Sequence, residues 1–258
     1  ICLPTPFHAS TAVDLLRRGY HVLSEKPMAR TYADCLEMIR ASRESGRKLM
    51  IGQCLRFFPD YSFLKNAVVS GEFGKPLAAA FRRQSAPPKW AWENWYMNPE
   101  LSGGCLMDMH IHDLDMIRYL FGEPESVSCC SQDIDSKFDI VYSQLYYPDI
   151  SVTAIGDWSQ TGTNFAADFR VAFENATLIG EGGAVRVYPR SGDSYQATLT
   201  GTDGYTGEIE FFIDSIATGE ENRKNPPESA AMTIRLIETL RQSAQERGRQ
   251  IPFEAETI

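Results

Sequence analysis

Basic residues are in short supply: 25 lysines and arginines face 34 aspartates and glutamates, a formal net charge of −9 over 258 residues. Nucleic acid is bound through a basic surface, so it is excluded as the main partner. Long apolar runs are missing as well. The longest stretch without a charged residue, 1–13, contains His8, Pro4 and Pro6 and falls short of the roughly 18 apolar residues that suggest a membrane span. Cysteine is sparse, with Cys2, Cys35, Cys54, Cys105, Cys129 and Cys130 forming no Cys-x-x-Cys. That rules out a disulfide scaffold and points to a reducing, cytoplasmic setting. Cys129 and Cys130 are adjacent in a predicted strand, so their side chains point to opposite faces and form no bridge. The chain has no initiator methionine: it opens on Ile1-Cys2-Leu3, which reads as a buried strand, and further sequence is expected upstream.

What is present begins as βα units, the mark of a parallel sheet. Strands are predicted over 1–3, 21–25 and 48–52. A helix over 8–18 stops at Gly19, and a second, opened by the capping box Thr31-x-x-Asp34, stops near Gly46. A helix over 57–69 and a strand over 76–84 follow. A long loop over 85–102 then carries Trp90, Trp92, Trp95 and Tyr96, a length that is uncommon unless functional. From 127 to 199, short runs of valine, isoleucine, tyrosine and phenylalanine between turn signals predict a mostly antiparallel sheet. Helices over 207–218 and 228–248 close the chain. Gly180-Glu181-Gly182-Gly183 looks like a phosphate loop, but alternating Val185, Val187 and Tyr188 follow it rather than a helix, so it reads as a hairpin turn.

The segment 103–120 carries the densest chemistry. At about 100° per residue, Asp108, His112, Asp115 and Tyr119 share one stripe of a helix whose other positions are apolar. The plainer reading is a buried histidine satisfied by its i−4 aspartate; the functional one is a general base oriented by a carboxylate that raises its pKa. His110-x-His112 on a strand would instead suit a metal-dependent hydrolase. On a helix the two rings diverge, and the sequence has only four histidines. Glu25-Lys26-Pro27 ends a predicted buried strand, where open α/β sheets bring residues to a ligand crevice. Trp92 and its aromatic neighbours are either core packing or a lid or pocket wall, the latter because sugars stack well on aromatic faces.

Together these motifs resemble the Gfo/Idh/MocA family of NAD(P)-dependent oxidoreductases over essentially the whole chain. Ile1-Cys2-Leu3-Pro4 with His8, Gly19-Tyr20-His21-Val22-Leu23-Ser24-Glu25-Lys26-Pro27, Gly52 with Arg56 and Pro59, and Gly103-Gly104…Asp108…His112…Asp115 carry the likeness. Leu3 and His110 depart from its usual residues. The resemblance implies an α/β plus α+β chain. Residues 1–54 would be the C-terminal part of a Rossmann parallel sheet, and residues 55–258 a substrate-binding domain with a large, mostly antiparallel open sheet that associates into a homodimer or homotetramer. It implies hydride transfer between NAD or NADP and a secondary hydroxyl of a sugar, inositol or related polyol. Lys26, Asp108 and His112 would be catalytic, with Asp108 holding substrate and histidine. Pro4, His8, Glu25, Lys26, Pro27 and Gln53 would lie at the cofactor, and Arg56, Trp92, Asp108 and Asp115 at the substrate; no metal is implied. The Gly-x-Gly-x-x-Gly turn and the ribose-binding acid are not in the sequence. A non-catalytic scaffold that keeps the sheet for association is the rival from another class.

Overall fold

In the computed structural model, which describes every residue but Thr257, a two-stranded parallel sheet adjoins a nine-stranded one. The chain makes a 3₁₀ turn at Thr5–Phe7, then α1 (His8–Arg17), β1 (Val22–Glu25), α2 (Tyr32–Ser45) and β2 (Leu49–Gly52). Gly19, at φ +88°, ends α1 in the left-handed conformation that glycine adopts without strain. The Thr31 hydroxyl accepts from the Asp34 N–H at 3.1 Å, so the capping box forms where the spacing predicts it. The expected strand at 1–3 shrinks to one residue: Ile1 donates its amino group to Leu23 O at 2.6 Å and accepts from Glu25 N–H at 2.9 Å. Pro4, without an N–H, then hands the chain to the 3₁₀ turn.

Beyond a 3₁₀ turn at Cys54–Arg56 come α3 (Pro59–Ser70) and β3 (Pro76–Gln84). The expected long loop is instead partly folded, as a 3₁₀ segment at Trp92–Met97 and the one-turn helix α4 (Pro99–Ser102), with Trp95 stacked on Tyr96 at 4.0 Å. The helix expected through 108–119 is two helices, α5 (Gly104–Asp108) and α6 (Ile111–Phe121). The Cys105 carbonyl accepts from both Met109 and His110 N–H, at 3.1 and 2.9 Å, and this shared bond breaks the helix at the step the stripe needed to be regular.

The remaining strands are β4 (Ser126–Gln132), β5 (Ile140–Tyr146), β6 (Ser151–Asp157), β7 (Ala166–Phe173), β8 (Ala176–Glu181), β9 (Ala184–Pro189) and β10 (Tyr195–Gln196). Helices α7 (Gly204–Thr218) and α8 (Pro227–Gln245) precede β11 (Ile251–Pro252). The large sheet runs β10-β9-β8-β7-β3-β6-β5-β4-β11, antiparallel throughout except where β3 meets β6. Alternation puts Phe81, Val127, Val141, Val152, Phe169, Val171 and Leu178 on the buried face beneath the helices. Arg82, Tyr142, Thr153, Arg170, Arg186 and Tyr188 are exposed on the other face. Cys129 is buried and Cys130 exposed, as adjacent strand positions require. Gly182 and Gly183, at φ +60° and +77°, make the β8–β9 hairpin turn.

The closing helices fold back onto the small sheet. Helix α8 packs on α2 and β2 as well as on β4, and the Asn225 side chain donates to Ile51 O at 2.7 Å. Among the described residues, no helix is long and apolar enough to cross a membrane.

Candidate active site

The two sheets meet at Lys26 and Asp108. Lys26 follows β1 and Asp108 ends α5; the lysine Nζ donates to Asp108 Oδ1 at 3.0 Å and to the Asp108 carbonyl at 2.8 Å. The pair is mostly buried. Burial would lower the Lys26 pKa, but the charge and hydrogen bond of Asp108, with smaller help from Tyr96 and Glu25, raise it above its ordinary value. Lys26 is therefore held as an ammonium, with one of its three N–H donors uncommitted.

Two clefts adjoin at this pair. One, of about 590 Å³, is walled by His112, Tyr61, Arg83, Phe165, Tyr205 and the Glu181–Gly183 corner of the hairpin. The other, of about 460 Å³, opens at the carboxyl end of β1 and is walled by Pro4, Thr5, Glu25, Trp92 and Tyr96. Lys26 and Asp108 line both.

His112 sits on the first turn of α6, and its Nδ1 is buried without a partner. The expectation that Asp108 orients this ring and raises its pKa does not hold. The break after α5 turns Asp108 toward Lys26, and burial, then Lys26, then Arg83 push the His112 pKa well below its ordinary value. The imidazole is neutral, which is the state a base requires. His110 points elsewhere: its Nε2 is 2.9 Å from Ser143 Oγ, and burial with Arg83 lowers its pKa to about 3. A Cβ on Gly156 would stand 2.9 Å from the His110 Cβ, so the absence of a side chain there makes room for the ring. The two histidines do not converge, and the described residues contain no group of three side chains able to hold a metal ion.

The structure divides the other expected site residues between wall and frame. Pro4, Glu25 and Trp92 line the second cleft. His8 is buried, its ring nitrogens each 2.7 Å from a carbonyl, Pro27 O and Leu3 O, so it ties the Pro4 turn to the turn after β1 rather than facing either cleft. Pro27 is likewise buried. Gln53 is buried with both polar atoms of its side-chain amide unpartnered. Arg56 and Asp115 bind each other in the interior, at 2.7 and 2.8 Å, and line neither cleft.

Sequence reasoning passed over Arg83, Tyr61 and Asp60. Arg83 donates to both oxygens of Asp113, at 2.9 and 3.1 Å, and to the Tyr61 hydroxyl at 3.2 Å. Its signal was available: it occupies an inward position of an alternating strand, two residues after Phe81, where an arginine needs a reason to be. Burial raises the pKa of Asp60 against the opposing pull of the Tyr61 N–H.

Comparison with known proteins agrees with this architecture. Residues 1–53 match the model described as oxidoreductase family, NAD-binding Rossmann fold, and residues 61–206 the GFO/IDH/MocA C-terminal domain. The chain belongs to the Gfo/Idh/MocA oxidoreductase family. It is 32% identical over 156 residues to 2,7-anhydro-N-acetylneuraminate hydratase of Escherichia coli K12, an alignment covering 57% of this chain and 42% of that protein. It is 29% identical over 245 residues to inositol 2-dehydrogenase of Rhizobium meliloti, covering 86% and 70%. Aldose-aldose oxidoreductase from Caulobacter crescentus, solved with glycerol, superposes with a TM-score of 0.86 at 26% identity, over 97% of this chain and 77% of that one. The chain thus spans about two fifths of the first relative's length and seven tenths of the second's.

Proposed function

We propose that the protein carrying these residues oxidises a secondary hydroxyl of a sugar, inositol or related polyol, or runs the reverse reduction, with NAD or NADP. The observation that carries the reading is that His112, its Nδ1 unpartnered, and the Lys26–Asp108 pair line one cleft. His112 removes the hydroxyl proton, and Lys26 donates to the oxygen as negative charge grows there. Asp108 holds the ammonium in place. A nicotinamide held beside these residues would supply the acceptor for the hydride that leaves carbon. The second cleft suits the nicotinamide end of the cofactor: Pro4, Glu25, Lys26 and Trp92 form the walls. Tyr61, Arg83 and Tyr205 offer polar and aromatic surface to a polyol.

In this reading residues 1–54 serve the cofactor and 55–258 the substrate. The exposed sheet face, which mixes Tyr142 and Tyr188 with Arg82, Arg170 and Arg186, serves self-association. The test is His112→Asn in the full-length protein. Loss of a general base lowers kcat by about 10²-fold or more while the protein stays folded. Wild-type turnover in that variant across the pH range would overturn the assignment.

A further inference from the structure

Away from both clefts, a third cavity of about 230 Å³ lies where the turn before α2, the α4–α5 junction, the β4–β5 loop and α8 converge, lined by Arg30, Gly103, Lys137, Arg241 and Gln245. Three cations line it against one carboxylate, the exposed Glu100, in a chain whose net charge is −9. Among the described residues none of the three cations belongs to a salt bridge. Arg241 Nη2 is buried with no acceptor at all. Arg30 is held in place by the Pro99 carbonyl, 3.1 Å from its Nη2. Burial, and then the facing guanidinium of Arg241, lowers the Arg30 pKa; burial lowers that of Arg241. Glu238 and Glu100 pull the Arg241 pKa the other way, and Arg30 Nη1 donates to Met107 Sδ at 2.8 Å. The unfilled Arg241 donor, in a cavity lined by a second guanidinium and a lysine, is still one that an anion would satisfy. Gly103 makes room for this arrangement: a Cβ there would stand 2.4 Å from Arg30 Nη1.

We propose that this cavity binds a small oxyanion of the phosphate class, held by the two guanidiniums with Lys137 at its mouth. Guanidinium groups present paired N–H donors to phosphate oxygens, and an exposed lysine adds charge without fixed geometry. The volume admits free phosphate or the phosphoryl end of a small ester. Because Pro99 and Gly103 lead back to Asp108 through α5, the occupied site would brace the segment that carries the Lys26 partner.

The test is calorimetric titration of the 258-residue chain with inorganic phosphate and, separately, with glycerol phosphate, near neutral pH and with sodium chloride holding ionic strength constant. Saturable binding to one site is expected. Arg241→Gln and Lys137→Gln should each weaken it about tenfold, the loss of one charge-assisted contact. Tighter binding of the ester points to an organic phosphate as the natural occupant, and tighter binding of inorganic phosphate to the free ion; either supports the site. Lys137 is exposed, so its variant decides the matter if Arg241→Gln misfolds. No saturable heat with either probe, or unchanged affinity in the folded variants, would overturn the proposal.

Discussion

Replacing Asp115 with alanine should damage stability far more than substrate binding, because the carboxylate belongs to a closed interior network. Both side chains of the Arg56–Asp115 pair are 1% exposed. Arg56 Nε and Nη2 donate to the two Asp115 oxygens at 2.8 and 2.7 Å, Nη2 also to Ser229 Oγ at 2.7 Å, and Nη1 to Lys224 O at 2.9 Å. The Thr233 hydroxyl donates to Asp115 Oδ1 at 3.0 Å, and the Tyr119 ring lies 4.8 Å beneath the guanidinium. Removing the carboxylate strands a buried cation and breaks three hydrogen bonds to the carboxylate, which costs about 3–5 kcal/mol. That is a factor of about 10² or more in the ratio of folded to unfolded protein. Arg56→Met combined with Asp115→Leu leaves no charge behind, so the double variant should lose less than Asp115→Ala alone. Urea titration followed by circular dichroism reads both as midpoint shifts at constant m. A loss below about 1 kcal/mol in Asp115→Ala, far under the cost of stranding a buried charge, would refute the network argument. A raised KM with intact stability would return the pair to the substrate site.

Glu208 supplies a pH prediction. Burial and the neighbouring Glu25 raise its pKa to about 8, so the folded state holds a proton that the unfolded chain releases near its ordinary pKa. Its penalty is absent below that ordinary value, grows as pH rises toward 8, and persists above it. Glu208→Gln should therefore raise Tm at alkaline pH and leave it nearly unchanged below the ordinary value of 4.5; equal effects at both would contradict the assignment. The 258-residue chain should not bind NAD or NADP at micromolar concentration, since it holds no Gly-x-Gly-x-x-Gly turn to receive the pyrophosphate. Micromolar binding by calorimetry would mean a different phosphate site. Light scattering at micromolar concentration should find a dimer or tetramer built on the exposed sheet face, and a monomer alone would count against that interface.

Features governed by neighbours in sequence were legible before any coordinates. Thr31 and Gly46 bracket α2, β3 occupies its predicted span, and the Gly182-Gly183 turn is a hairpin, because caps, alternation and turn chemistry act within a few residues. Lys26, Asp108 and His112 were also legible as a set, and they do share a cleft. What escaped depends on contacts across the fold. A carbonyl shared by two N–H groups breaks the helix after Asp108, and no periodicity announces it. The partner of Asp108 is 82 residues away, and Arg83 finds Asp113 only once β3 lies beneath α6. The family resemblance put Arg56 and Asp115 at the substrate, whereas in the fold they line neither cleft and pair with each other.

The place of β3 in the large sheet governs the order in which the molecule can assemble. Residues 76–84 pair on one side with 151–157 and on the other with 166–173. The strand waits through some seventy residues of synthesis for its first sheet partner, and in that interval it has no strand on either flank. Non-local pairings of this kind slow folding and leave strand edges open to other chains. A nascent chain stopped before residue 173 would therefore display the central strand as an edge. The strand that carries Arg83 into the first cleft thus reaches its place at the centre of the sheet only after both later partners have been made.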